Sequence, residues 1–279
     1  MKQKDSKILF FDVDGTLLNE QGIITKQLQE ALLSLQEQGH KICIASGRSK
    51  NHIGPELMET LPWDGYVLGN GAYSEFHKTI LGHERMEEDL VREFVAYTKD
   101  LPGIAIILEG NEGSYITKES GEVAYKAMRE IAGHDDLSYE LFLKLFTLVE
   151  DFTQVTNINK MMYFNGGKYA QQMIAEFAGR LEFLPNSVTQ RLSRDEGEIM
   201  IQGITKAVGI ERIIRFAGYP KEDVIAFGDG YNDLDMIAYA GIGIAMGNAI
   251  DELKKTADLV ADTNRNEGIV KMLKELELL

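Results

Sequence analysis

The chain of 279 residues is long enough for one large domain, or for a main domain accompanied by a smaller one. Hydrophobic residues make up 44% of it and charged residues 26%, which is typical of a soluble globular protein. The formal net charge of -15 argues against a protein that binds nucleic acid or a membrane surface, because contact with a polyanion requires clustered Lys and Arg side chains.

The first part of the chain alternates strand and helix patterns. Residues 7–11 form a short continuous apolar run, which is typical of a strand buried on both faces. A helix is then predicted to begin after Thr25, a candidate N-cap, and to end at Gly39. Further strands are predicted at residues 42–45 and 66–68. This alternation indicates a parallel sheet with right-handed crossovers.

The middle of the chain, residues 82–191, has a different pattern. None of its predicted strands ends in a polar cluster like those of the flanking parts. We therefore expect an inserted α+β domain at residues 82–191, within a main domain formed by residues 1–81 and 192–279. The predicted helices of the insertion are 88–98, 122–131 and 169–177, and its predicted strands are 104–108, 160–164 and 181–184.

The last third of the chain returns to the alternating pattern of the first. Because the two parts share this pattern, we predict that they form one α/β domain with a Rossmann-like, doubly wound parallel sheet. Its predicted elements are helices at 206–216, 234–239 and 268–278, and strands at 224–227, 242–245 and 259–260.

Cysteine content and hydropathy favour an intracellular setting. The single cysteine, Cys43, cannot form an internal disulfide and lies in an apolar run, so we interpret it as a small buried side chain. No apolar stretch approaches the length that spans a bilayer. We expect a cytoplasmic protein in a reducing environment.

Two carboxylates follow the first predicted strand. Asp12 and Asp14 are two residues apart, so in an extended chain their side chains point the same way. Such a pair repels unless a cation or a proton separates the two groups, and a hard dication such as Mg²⁺ is a natural solution. The alternative is that Asp-x-Asp-Gly-Thr forms only a turn.

A second acidic segment follows the strand predicted at 224–227. Ligands of parallel α/β sheets bind beyond the carboxyl ends of the strands, so Asp229 is expected near Asp12. Asp229 would supply a third carboxylate to the cation, with Asp233 bracing it from the next turn. Together the two acidic segments favour a magnesium site over two separate turns.

Two other segments suit a phosphate group. Ser46 and Gly47 follow the strand at 42–45, where a hydroxyl and a backbone N–H suit a phosphate oxygen, although a simple helix cap is the alternative. Lys206 lies at the start of a predicted helix, where an ammonium beside backbone N–H groups binds phosphate well. Taken alone, a lysine at such a position is more often solvated.

As a set, these residues resemble the haloacid-dehalogenase-like superfamily and, within it, the Cof-type phosphatases that carry a large α/β cap of type IIB. One departure is that Ala207 follows Lys206, where the family often has glycine. The matching motifs are Phe-Asp-x-Asp-Gly-Thr-Leu at 11–17, Ala-Ser-Gly-Arg at 45–48, Lys206, and Gly-Asp-x-x-Asn-Asp-x-x-Met at 228–236.

The resemblance implies roles for individual residues. Asp12 would be the nucleophile and Asp14 the general acid and base. Mg²⁺ would be held by Asp12, by the backbone carbonyl of Asp14 and by Asp229, with Asp233 behind them. Ser46, Gly47, Lys206 and Asn232 would bind the transferring phosphate. Beside these implied contacts, Val13 is a further candidate phosphate contact, and Arg48 and Asn70 are candidate substrate contacts.

The expected function is that of a Mg²⁺-dependent phosphatase acting on small phosphorylated metabolites through an aspartyl-phosphate. By resemblance, sugar phosphates, pyridoxal phosphate and flavin mononucleotide are all candidate substrates. A phosphotransferase or phosphomutase that discharges the same intermediate to a sugar hydroxyl is the close alternative. A non-catalytic regulator that binds a phosphometabolite is the distant one. The oligomeric state is left open by the sequence.

Overall fold

A computed structural model describes residues 6–132, 138–185 and 195–279 of the protein. Within these ranges the chain alternates strands and helices over most of its length. The strands, in chain order, are β1 (Ile8–Phe11), β2 (Lys41–Ala45), β3 (Gly65–Leu68), β4 (Tyr73–Phe76), β5 (Thr79–His83), β6 (Ala105–Gly110), β7 (Ser114–Thr117), β8 (Thr147–Val149), β9 (Ile158–Phe164), β10 (Leu181–Leu184), β11 (Glu196–Ile201), β12 (Val224–Gly228), β13 (Ile242–Ala245) and β14 (Leu259–Val260).

The helices of the described residues are distributed over both the flanking and the middle parts of the chain. In chain order they are α1 (Lys26–Glu37), α2 (Pro55–Thr60), α3 (Glu88–Lys99), α4 (Lys118–Ala132), α5 (Tyr139–Leu143), α6 (Ala170–Glu176), α7 (Lys206–Ala217), α8 (Leu234–Tyr239), α9 (Asp251–Thr256) and α10 (Gly268–Glu275). Among the residues that the structure describes, no helix combines the length and the apolar character that crossing a membrane would require.

The chain divides into two compact units. The first unit comprises the residues up to Arg48, His52–His83 and Ile204–Leu279, and the second comprises Ser49–Asn51 and Glu84–Gly203. The predicted boundary at 81/82 therefore lies two residues before the observed one. The predicted boundary at 191/192 falls outside the described residues, and the second unit extends to Gly203.

The first unit is built on an eight-stranded sheet with the order β14-β13-β12-β1-β2-β3-β4-β5. Alternate residues of β1 face opposite sides, which explains its continuous apolar sequence. Leu9 and Phe11 pack with side chains of α1, α2 and α10 on one side, whereas Ile8 and Phe10 pack with α7, α8 and α9 on the other. Helices on both faces of a mostly parallel sheet confirm the predicted α/β fold class.

The sheet of the first unit is not entirely parallel, which corrects the prediction for this domain. Strands β3, β4 and β5 are joined in antiparallel pairs. The two-residue turn between β4 and β5 consists of His77 and Lys78, both with positive φ (46° and 65°), as a tight hairpin requires. Neither is a residue type that usually adopts such a turn, so the sequence carried no clear hairpin signal.

The second unit has its own six-stranded sheet, in the order β10-β11-β9-β6-β7-β8. Helices α3 and α6 pack on one face of it, and α4 and α5 pack on the other. Strand β11 belongs to this sheet because it pairs in antiparallel fashion with β9 and β10. The residues of β11 had been predicted to lie in the main domain, and the structure corrects that placement.

Capping residues define one end of each of two helices in the first unit. Thr25 caps α1, since its Oγ1 accepts a hydrogen bond from the backbone N–H of Leu28 at 3.2 Å. Gly218 ends α7 in the left-handed conformation with φ 78°. Cys43 is fully buried in β2, as predicted.

Candidate active site

Polar residues converge at one edge of the eight-stranded sheet. Strands β12, β1, β2 and β3 are neighbours and parallel, so their carboxyl ends lie side by side. Asp12 follows β1, Ser46 follows β2, Asn70 lies just after β3, and Asp229 follows β12. The structure therefore brings together residues that are far apart in the chain, at the position where α/β sheets bind ligands.

A buried lysine links two of the carboxylates. Lys206 begins α7 and is 0% exposed. Its Nζ donates hydrogen bonds to Oδ1 of Asp12 and to Oδ1 of Asp233, each at 2.6 Å. The alternative considered from the sequence, a solvated lysine, is thus wrong. The ammonium instead lies between two carboxylates that are themselves buried.

Asp233 is also tied to the backbone of the loop after β12. Its Oδ2 accepts the N–H groups of Asp229 at 2.8 Å and of Gly230 at 2.9 Å. A Cβ at Gly228 would lie 2.6 Å from Cγ of Asp233, so only glycine leaves room for this carboxylate. Because both oxygens of Asp233 are engaged by protein groups, the side chain is well placed to brace Lys206 and the Asp229 loop.

Asp229 is held from the opposite side by the turn after β1. Thr16 Oγ1 donates to Oδ1 of Asp229 at 2.8 Å. Gly15, the residue before Thr16 in this turn, has φ +80°, and a Cβ there would lie 2.2 Å from Oδ2 of Asp229. Glycine is therefore required for the close approach of the two loops. Thr16 was not singled out as a site residue, although it is part of the Asp-Gly-Thr motif.

Asp12, Asp229 and Asp233 form the cluster that fits a metal ion. One carboxylate oxygen from each lies within 4.8 Å of the others, and all three residues are buried. Three carboxylates against the one ammonium of Lys206 leave an excess of two negative charges when all are ionised. Buried charge of this kind requires compensation, and hard oxygen ligands suit a divalent cation. The donor set therefore fits the expected metal.

Burial and the neighbouring charged groups shift the pKa values of both Asp12 and Lys206. Burial raises the pKa of the Asp12 carboxyl well above its usual range, and the Lys206 ammonium opposes that rise. The carboxylates of Asp233, Asp229 and Asp14 raise the same pKa further. Burial disfavours charge on Lys206, but Asp12 and Asp233 outweigh it and raise the pKa of the ammonium. A cation beside Asp12 would favour its ionised form.

The side chain of Asp14 forms an ion pair with Arg48 and is not part of the cluster of three buried aspartates. Arg48 Nη2 donates to Oδ1 of Asp14 at 2.6 Å, and Arg48 Nε donates to Oδ2 at 2.8 Å. Both oxygens of the carboxylate thus face one guanidinium. The role predicted for Asp14 in holding the metal concerns its backbone carbonyl and stays a prediction.

The predicted phosphate-binding residues lie around the ends of β2 and β3. Ser46 is buried, and its Oγ accepts the backbone N–H of Arg48 at 3.1 Å. A Cβ at Gly47 would lie 2.9 Å from Nδ2 of Asn232 and 3.0 Å from Oδ1 of Asn70, so these residues share one small space. Binding of phosphate by Ser46, Gly47 and Asn232 stays a prediction.

Asn70 occupies an unusual position for a residue expected to contact substrate. It is 2% exposed and adopts the left-handed conformation with φ 51°. Its Oδ1 accepts a 2.9 Å hydrogen bond from Nδ2 of Asn232. This contact orients the Asn232 amide, a function that the sequence did not reveal.

Val13 and two asparagines hold the turn that follows β1. Val13 is fully buried, and its carbonyl accepts the N–H of Leu18 at 2.9 Å. Asn248 Nδ2 donates to the carbonyl of Gly15 at 2.8 Å, while its Oδ1 accepts the N–H of Asn264 at 3.0 Å. Neither asparagine was among the predicted site residues.

Comparison with known proteins finds relatives that share both the sequence and the fold over nearly the whole chain. The chain is 27% identical to the 5-amino-6-(5-phospho-D-ribitylamino)uracil phosphatase YitU of Bacillus subtilis, over 96% of each chain. Its fold is similar to that of the phosphatase BT1666 from Bacteroides thetaiotaomicron, with a TM-score of 0.81 and 26% identity over 98% and 96% of the two chains. It is also similar to the subclass IIB sugar phosphatase BT4131, with a TM-score of 0.80 and 27% identity over 98% and 100%.

The family itself is shown by a match along nearly the whole chain. The family model of haloacid dehalogenase-like hydrolases matches residues 9–273, which include every motif used above. The resemblance drawn from the motifs is therefore confirmed, as is the prediction that the protein is a hydrolytic enzyme. The chain belongs to the haloacid dehalogenase-like hydrolase family.

Proposed function

We propose that the protein is a phosphatase that hydrolyses small phosphate monoesters through a phosphoryl group carried on Asp12. The observation that carries this proposal is the buried cluster of Asp12, Asp229, Asp233 and Lys206 at the carboxyl ends of the strands. A site that only bound phosphate would gain nothing from an anionic Asp12 at its centre. A nucleophile must be placed against the phosphorus, and its charge must be compensated there.

Each residue of the cluster is proposed to contribute to neutralising the charge of the transferring phosphoryl group. A divalent cation such as Mg²⁺, held by Asp12 and Asp229, would neutralise charge on the transferring phosphoryl group. Lys206 supplies a fixed positive charge beside Asp12, and Asp233 keeps it in place. Catalysis of phosphoryl transfer depends mainly on such positioning and charge neutralisation.

The proposed reaction has two steps. In the first, a carboxylate oxygen of Asp12 forms a bond to phosphorus while the ester oxygen leaves and takes a proton from Asp14. In the second, Asp14 takes a proton from water as the water oxygen bonds to phosphorus, and the bond from Asp12 to phosphorus breaks. Orthophosphate is released, and both aspartates return to their starting state.

The proposed substrates are small phosphorylated metabolites such as sugar phosphates. The names of the relatives support this class, since one is a phosphatase of a ribityl phosphate and another is a sugar phosphatase. The second unit is proposed to act as the cap that selects the leaving group, in line with the resemblance to capped phosphatases. Ser46, Gly47 and Asn232 are proposed to bind the phosphate oxygens.

A phosphate-release screen tests the proposal. The wild-type protein is incubated with sugar phosphates, pyridoxal phosphate and flavin mononucleotide, with and without Mg²⁺, and orthophosphate is measured. We expect Mg²⁺-dependent release from at least one ester, and Asp12→Asn should lower it roughly a thousandfold or more.

The matched control is Asp235→Asn, because Asp235 is an exposed aspartate on the neighbouring α8. It should retain wild-type release, and circular dichroism should show that both variants are folded. A folded Asp12→Asn variant with normal turnover would refute the proposed role of Asp12. Absence of release by the wild type across the panel would favour a phosphometabolite-binding protein instead.

A further inference from the structure

Arg48 forms an ion pair with Asp14, and the proposed reaction assigns no role to this arginine. The two hydrogen bonds, of 2.6 Å and 2.8 Å, join the planar guanidinium to both oxygens of the carboxylate. The terminal torsion of an aspartate is broad when nothing restrains it. A two-point contact with a rigid guanidinium fixes that torsion, which a single hydrogen bond or a lysine ammonium does not.

Arg48 is itself anchored by its backbone. Its N–H donates to Oγ of Ser46 at 3.1 Å, and its carbonyl accepts the N–H of Gly69 at 2.8 Å. These bonds attach residue 48 to the ends of β2 and β3, two adjacent strands in the sheet of the first unit. The guanidinium therefore extends from a fixed point of the sheet edge toward Asp14.

Asp14 has little restraint of its own. It lies in the turn after β1, between Asp12 and the left-handed Gly15. Its side chain is 40% exposed, unlike the buried Asp12. A partly exposed carboxylate in a turn samples several rotamers when no partner restrains it, and each departure from the productive one lowers the rate of proton transfer.

We propose that Arg48 is a positioning residue that holds the Asp14 carboxylate in the orientation needed for proton transfer. The inference rests on the proposed function, in which Asp14 is the acid and base. A carboxylate offers about four lone-pair sites, and the guanidinium uses two of them. The two others stay available to exchange a proton with the leaving oxygen or with water.

The competing role for Arg48 is the candidate one named in the sequence analysis, direct contact with the substrate. The two roles predict different kinetics. A substrate contact acts mainly through binding, so its loss raises KM for esters of similar shape by similar factors. A residue that positions the acid acts on bond cleavage, so its loss matters more when the leaving oxygen is more basic and needs the proton.

The test uses p-nitrophenyl phosphate and phenyl phosphate as probes with Mg²⁺ present. The two esters are similar in shape, but phenoxide is the more basic leaving group. For Arg48→Met we expect kcat/KM to fall about tenfold or more with phenyl phosphate and about threefold or less with p-nitrophenyl phosphate. Inhibition by orthophosphate should change less than about twofold, because phosphate binding does not depend on Arg48.

Two further variants separate orientation from charge. Arg48→Lys keeps the charge but not the two-point contact, so it should resemble Arg48→Met. In the Asp14→Asn variant the acid is already absent. Adding Arg48→Met to it should therefore change kcat/KM by less than about twofold with either ester. Arg92→Met is the control for loss of a solvent-exposed arginine ion pair, since Arg92 pairs with Glu88 and Asp89 on α3. It should leave both rates unchanged.

The possible outcomes are distinct. Equal losses with both esters, carried by KM, would overturn the inference and assign Arg48 to substrate binding. Full activity of Arg48→Lys, or an undiminished effect of Arg48→Met in the Asp14→Asn background, would also overturn it. If the wild type released no phosphate from either ester or from any metabolite of the phosphate-release screen, the proposed function would fail and the inference would fail with it.

Discussion

At the scale of single residues, Asn70 connects backbone geometry to the predicted phosphate site. Its φ of 51° is a conformation that residues other than glycine avoid, although asparagine tolerates it better than most. The same residue accepts the hydrogen bond that orients Asn232. Glycine would suit the backbone at this position but would lose the amide, so the asparagine serves both requirements.

Substitutions at residue 70 separate these two contributions. Asn70→Gly and Asn70→Ala both remove the acceptor of the Asn232 amide, and each should weaken inhibition by orthophosphate about threefold to tenfold. Only Asn70→Ala places a Cβ in the left-handed conformation, so it should be about 1 kcal/mol less stable than Asn70→Gly. Phosphate inhibition and urea unfolding measure the two effects.

Asn157 provides the matched control, because it has φ 62° and belongs to the second unit. Asn157→Ala should again be less stable than Asn157→Gly, but phosphate inhibition should not change in either. Wild-type inhibition by orthophosphate in both variants of Asn70 would show that its contact with Asn232 is not used in phosphate binding.

At the scale of elements, α7 carries Lys206 to the site and packs closely against the sheet. A Cβ at Gly209 would lie 2.4 Å from Cγ1 of Val67 on β3 and 3.3 Å from Cα of Gly71. The helix therefore approaches the strand at a distance that only glycine allows. Because Lys206 lies three residues before Gly209, this contact sets the position of the ammonium.

Gly209→Ala should shift α7 away from β3. We expect a loss of about 1–3 kcal/mol in the free energy of unfolding, which is typical of overpacking, together with lower turnover because Lys206 moves. The comparison is Gly218→Ala at the other end of the helix, where φ is 78° and no atom lies within 4 Å of the added Cβ. Gly218→Ala should lose stability but keep its turnover. Unchanged stability and turnover of Gly209→Ala would contradict the packing account.

At the scale of the whole molecule, the sequence predicted the parallel strands well because each is an uninterrupted apolar run. Strands β1, β2, β3, β12 and β13 all lie at or near their predicted positions. A strand buried on both faces has to be apolar throughout, so the physical cause and the sequence signal coincide. The convergence of Asp12, Ser46 and Asp229 follows from the parallel order of these strands.

Other features depend on contacts between distant segments and carried no local signal. Strand β11 contains Glu198, which is 1% exposed and is stabilised by Lys160 of β9 at 3.1 Å. A buried glutamate makes the sequence of β11 look only partly strand-like, and its partner lies 38 residues away. The pairing of Arg48 with Asp14 is similar, because it depends on two loops whose relative position the sequence does not specify.

The central claim is that Asp12 carries the phosphoryl group, and chemical trapping tests it most directly. Asp14→Asn lacks the base for the second step, whereas the first step with p-nitrophenyl phosphate needs the missing acid little, so with this ester and Mg²⁺ the phosphorylated enzyme should accumulate. The reaction is quenched in acid and treated with borohydride, which reduces an acyl phosphate to an alcohol, and the peptides are then mapped by mass spectrometry. The account predicts reduction at position 12 and no reduction when Asp12→Asn is added. Phosphorylation of another residue, with Asp12 unmodified, would contradict it.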